Sequence, residues 1–116
     1  MNIYVATKWE NRSQARRVMN DLTDLGHHIT HDWTTIAQET AEVAAEDMVG
    51  VLRADRLVLL AEDDWPFRGT YVELGIALTA GIPVSIVGPY AAVIFDKMPQ
   101  VERFPDYTTF IRDFSA

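Results

Sequence analysis

The sequence predicts a three-layer α/β fold of the Rossmann or flavodoxin-like kind, with a small, mostly parallel sheet and helices on both faces. Three observations carry this. Short β-branched or aromatic runs alternate with longer runs whose apolar residues recur every three or four positions. One run, Arg56-Leu57-Val58-Leu59-Leu60-Ala61, is apolar without alternation, which is how a strand buried on both faces reads. Gly26 and Gly81 fall just past two of the helical runs, where a helix-ending glycine belongs.

The elements follow in order. Ile3-Tyr4-Val5-Ala6 reads as a buried first strand. Residues 10–25 read as a helix, with Ala15, Val18, Met19, Leu22 and Leu25 on its apolar face. His28 to Asp32 is a short second strand, and Thr34 and Thr35 supply a turn or helix cap. A second helix is expected over 37–52, with Val43, Ala44, Met48, Val51 and Leu52 as its apolar set. The run from Arg56 is the central strand. An acidic and aromatic loop, 62–69, leads into a third helix over 70–80. Pro83 to Val87 is a fourth strand, closed by Gly88-Pro89. Residues 93–95 read as strand or loop, and 107–114 as a closing helix. No linker, repeat or low-complexity stretch interrupts the pattern, so residues 1–116 are read as a single domain. In such folds ligands bind at the carboxyl ends of the strands. The loops after Ala6, Asp32 and Ala61 are therefore where chemistry is expected.

Composition narrows the function. The chain is nearly half apolar, enough for one core, and it contains no cysteine. Disulfides, thiolate metal sites and cysteine nucleophiles are excluded. Net charge is −7, whereas a binder of a nucleic acid polymer normally carries a basic face. A small nucleoside or nucleotide needs only a few local contacts and is not disfavoured. No apolar run approaches the roughly 20 residues that span a bilayer, and the opening Met-Asn-Ile-Tyr-Val-Ala lacks the pattern of a secretory signal. A cytoplasmic protein without membrane contact is expected, and nothing in the sequence calls for a cofactor.

Two acids stand out. Glu73 shares a helix face with Ile76, Ala77 and Ala80, so it points along apolar residues rather than into water. A carboxylate there is costly unless something stabilises it, and the nearby helix N-terminus is one candidate. Asp47 shares its face with Val43, Ala44 and Val51. Burial and a like charge both raise a carboxyl pKa, so such a group can hold a proton and donate it. Two acids in different environments can divide into nucleophile and general acid. The plainer reading makes each a salt-bridge partner, with Arg53, Arg56 and Arg68 available.

Tyr4-Val5-Ala6, Asp47, Ala54-Asp55 and above all Gly69-Thr70-Tyr71-Val72-Glu73-Leu74-Gly75-Ile76-Ala77 resemble the nucleoside 2-deoxyribosyltransferase superfamily, which includes related nucleotide N-glycosidases. The resemblance covers residues 3–87. It implies that Glu73 attacks the anomeric carbon, that Asp47 protonates or orients the leaving base, and that Tyr4 positions Glu73 or the sugar. It also implies a homodimer or higher homo-oligomer. Substrate contacts would come from Thr7, Lys8, Trp9, Asp32, Trp33, Gly69 and Thr70, with Lys8 and Arg12 candidates for a phosphate. The chain departs from the pattern six positions before Glu73, where an acid or hydroxyl is usual and Phe67 stands.

His27, His28 and His31 invite a metal reading, but residues 28 and 31 face opposite sides of a strand, and no metal site is expected. Trp9, Trp33 and Trp65 fall in three loops at one sheet edge, which suits a planar aromatic ligand or a subunit interface. The leading expectation is an enzyme acting at an N-glycosidic bond. The alternatives are a non-catalytic nucleotide-binding or sensor module on the same fold, and a structural accessory protein.

Overall fold

The computed structural model describes residues 1–64 and 66–115 of the chain. In order, it forms β1 (Asn2–Ala6), α1 (Arg12–Asp24), β2 (His28–Ile29), α2 (Ala41–Leu52), β3 (Arg56–Leu60), α3 (Arg68–Thr79), β4 (Val84–Val87), β5 (Val101–Phe104) and α4 (Tyr107–Ser115). Among the described residues the strands make one sheet in the order β2-β1-β3-β4-β5, and every pairing is parallel. This is the flavodoxin-like order, whose reversal between β1 and β3 opens a crevice at the strands' carboxyl ends.

The three middle strands are buried along almost their full length, as their unalternating apolar sequences require. Helices α2 and α3 pack side by side over the face that carries Tyr4. Helix α4 reaches α1, where the Tyr107 hydroxyl donates to Asp21 at 2.8 Å. Helices α1 and α3 both end in Schellman closures. Gly26 and Gly81 take φ of +94° and +73°, and the following amides donate back to Leu22 and Ala77.

Four sequence expectations are corrected. The second strand stops at Ile29 rather than running to Asp32, because Asp32 Oδ1 accepts the Thr34 amide at 2.9 Å and turns the chain. Helix α2 starts at Ala41, not Ala37, and Thr40 is its cap, accepting the Val43 amide at 3.2 Å; Thr34 and Thr35 form a turn, as one of their two expected roles had it. Residues 94–97 form a short 3₁₀ turn, and the fifth strand at 101–104 was not anticipated. The apolar set predicted for α2 is not its buried face: of those residues only Val51 is fully enclosed, while Met48 and Leu52 are 48% and 55% exposed.

Candidate active site

Tyr4 is the middle residue of β1 and is fully buried. Its ring lies against α2 at Gly50, where an added Cβ would stand 3.0 Å from Tyr4 Cδ2 and Cε2. That glycine lets the helix approach the strand closely enough for the phenol to reach α3, where its hydroxyl donates to Glu73 Oε2. Glu73 is the sixth residue of α3, beyond the first turn, so the helix terminus does not stabilise it. Its stabilising donor is Tyr4.

Glu73 lies in a cleft of about 1060 Å³ that Asp47, Thr70, Lys8 and Trp9 also line. The cleft opens beside the carboxyl end of β1, next to the β1/β3 reversal, which is where the topology predicts a ligand. Burial pushes the Glu73 carboxyl up to about 8; the Tyr4 bond lowers it, and the charge of Asp47 raises it. Tyr4 is pushed far above the ordinary phenol range, first by burial and then by the Glu73 charge beside it. It therefore remains a hydrogen-bond donor at every working pH. Asp47 is also raised: burial is the main cause, the charge of Glu46 adds to it, and His31 opposes it. The charge of Asp47 is thus felt at Glu73, while burial is the larger cause of the rise at each acid.

The other predicted site residues divide. Thr7 is buried and donates to the Leu60 carbonyl at 3.0 Å, fixing the turn after β1. Lys8 is ion-paired with Asp63 and stands 5.2 Å from the centre of the Phe67 ring. Asn11 Nδ2 donates to the same Asp63 oxygen at 3.2 Å. Trp9 is exposed, with the Arg12 guanidinium 4.5 Å from its ring centre. Trp33 is buried, and its indole N–H donates to the Val5 carbonyl at 2.8 Å, so most of this ring is packing rather than platform. Asp32 is engaged by Thr34. Trp65 lies outside the described residues.

Gly69 and Thr70 open α3 at the cleft wall, with no side-chain cap from Phe67. Thr70 is buried, and its hydroxyl has no hydrogen-bond partner among the described residues. Among those residues, no three His, Asp or Glu side chains gather as a metal site requires. None of their helices is long and apolar enough to cross a membrane. Sequence reasoning missed Gly50, Asp63 and the pairing of His31 with Asp47. The only sequence signal for Gly50 was a glycine inside an otherwise regular helix.

The sheet order and the two acids in its crevice define the class: a flavodoxin-like α/β fold carrying two carboxyls in one cleft beside a buried tyrosine. Two solved structures share the fold over nearly its whole length. One is a 2-deoxyribosyltransferase from Bacillus psychrosaccharolyticus, at 22% identity, covering 99% of this chain and 90% of that one with a TM-score of 0.75. The other is the CMP N-glycosidase BcmB of Clostridium botulinum, at 14% identity, covering 98% of each chain with a TM-score of 0.73. No family model and no curated protein matches the chain. At these identities the likeness establishes a common fold.

Proposed function

We propose that this chain is a cytoplasmic enzyme that cleaves the N-glycosidic bond of a nucleoside or nucleotide, passing the sugar to water or to a second base. The observation that carries this reading is the Glu73 carboxyl, held by the Tyr4 hydroxyl in a cleft that also presents Asp47. Departure of a base leaves positive charge on the sugar ring. Ionised Glu73, placed below the ring, either forms a covalent bond to the anomeric carbon or stabilises the cation. Asp47 donates its proton to the leaving base. Tyr4 donates to one Glu73 oxygen and leaves the other for the sugar. Burial raises both carboxyls, and at Glu73 the Tyr4 hydrogen bond opposes that rise and favours the ionised form a nucleophile needs. The fold shared with a deoxyribosyltransferase and a CMP N-glycosidase supports the same reading.

The reading extends to a homodimer. Exposed Met48 on α2 and Val72 on neighbouring α3, at 63% exposure, line the cleft, and Leu52, one turn beyond Met48 on α2, is exposed as well. The alternative of a non-catalytic nucleotide-binding module draws on Phe67, which is buried where a polar substrate contact was expected.

The test is chromatography of the protein incubated with ribo- and deoxyribonucleosides and their monophosphates, with and without a free acceptor base. Release of base identifies a glycosidase, and exchange of bases a transferase. Tight binding of a panel member without turnover favours the binding module.

A further inference from the structure

His31 emerges from the end of β2 into a seat defined on three sides. The preceding residue pins it: the Thr30 amide donates to the Ile3 carbonyl at 3.0 Å, and its hydroxyl to the Gly50 carbonyl at 2.7 Å. Gly50 supplies the space, since a Cβ there would lie 2.9 Å from His31 Cβ. The imidazole is thereby brought to Asp47, with Nε2 standing 3.3 Å from Asp47 Oδ1. The approach is close enough for an ion pair but off the line of a hydrogen bond. Both atoms are enclosed, and neither has a hydrogen-bond partner among the described residues. Catalytic contacts are often loose before a ligand arrives and tighten with it. The Asp47 side chain is still 31% exposed, and it lines the cleft. One oxygen is thus turned to His31, and the remainder of the side chain is open to a ligand.

We propose that His31 is a positioning residue for Asp47, holding Oδ1 from behind so that the second carboxyl oxygen faces the departing base. This rests on the enzymatic reading above. In the step concerned, the O–H bond of Asp47 breaks and a proton passes to a ring nitrogen of the base. The electron pair of the sugar–base bond goes to the base, and the anomeric carbon is taken by Glu73. Asp47 is left as an anion, which the Nε2–H of His31 stabilises. The proton returns to Asp47 from the attacking water, or from the acceptor base as it bonds to the sugar. The titratable groups facing Asp47 besides His31 are Glu46 on its own helix, which raises it, and Glu73 on α3 and Tyr4 on β1, which both feel its charge. None of these three is basic, so His31 is the group that favours the Asp47 anion.

The test reads Asp47 directly, by titrating its side-chain carboxyl carbon by NMR in the wild type, His31→Leu and His31→Gln. Loss of the ring should raise the midpoint by about one pH unit in the leucine variant, and less in glutamine, which keeps an N–H donor. The limb of the kcat/KM pH profile that Asp47 sets should move up with it, and kcat should fall about tenfold while KM stays within twofold. An unchanged midpoint in both variants overturns the inference. If wild type releases base, Glu73→Ala does not and His31→Leu keeps both its kcat and its pH profile, the enzymatic reading stands and this inference fails. If no substrate releases base even with wild type, the enzymatic reading falls and takes the leaving-base role with it.

Discussion

Tyr4 and Glu73 come from opposite ends of the problem of burying an acid. A carboxyl drawn into an apolar helix face rises in pKa, which weakens it as an anion at neutral pH. One donor from a rigid strand offsets part of that rise and fixes the orientation of the group. Tyr4→Phe should therefore raise the Glu73 carboxyl further. Glu73 must be ionised to act, so activity appears as pH rises through its pKa, and in Tyr4→Phe that acidic limb should move to higher pH. At pH 7 the rate should fall about tenfold to a hundredfold, with recovery toward pH 9. A pH–rate profile of the two proteins checks this, and an unshifted limb would contradict it. Glu73 and Asp47 were legible in the sequence because an acid on an apolar helix face is conspicuous. His31 was not: it was read as part of a strand, and its partner sits 16 positions further along on another element. Sequence periodicity describes one element at a time and says little about what meets across two.

At the scale of elements, local chemistry was well written into the chain. The two glycine-closed helices and the three buried strands stand close to where their sequences put them. The errors have physical causes. Strand β5 is an edge strand, Val-Glu-Arg-Phe, with only Phe104 fully buried, so it lacks the apolar run that marked β3. The apolar residues of α2 were assigned to the core because periodicity cannot tell a face that packs within the chain from one left exposed. Gly88 shows the opposite case, in which one residue is indispensable to an element. It leaves β4 with φ of +113°, and a Cβ there would lie 2.2 Å from the Ala61 carbonyl oxygen at the end of β3. Gly88→Ala must strain the backbone or part the two strands. It should cost about 2–4 kcal/mol of stability, read as a fall in the denaturant midpoint at constant m. A loss below 0.5 kcal/mol would show that the loop relaxes freely.

For the whole molecule, the order β2-β1-β3-β4-β5 determines where a ligand can go, and the acid pair lies in that crevice. Alternating strands and helices were enough to predict a parallel sheet, but not the strand order, which depends on long-range pairing. The exposed apolar area on α2 and α3 belongs to this scale as well. If it is the dimer contact, Leu52→Glu should halve the mass seen by light scattering while leaving the helical circular dichroism unchanged. A wild type that is already monomeric at tens of micromolar would remove the homodimer proposal.

The most direct measurement is the rate of base release by Glu73→Ala beside the wild type, on whichever panel substrate turns over fastest. Replacing the group that meets the anomeric carbon should lower kcat about a thousandfold or more, with an unchanged circular dichroism spectrum. A folded Glu73→Ala protein that stays within tenfold of wild type would place the chemistry on another residue.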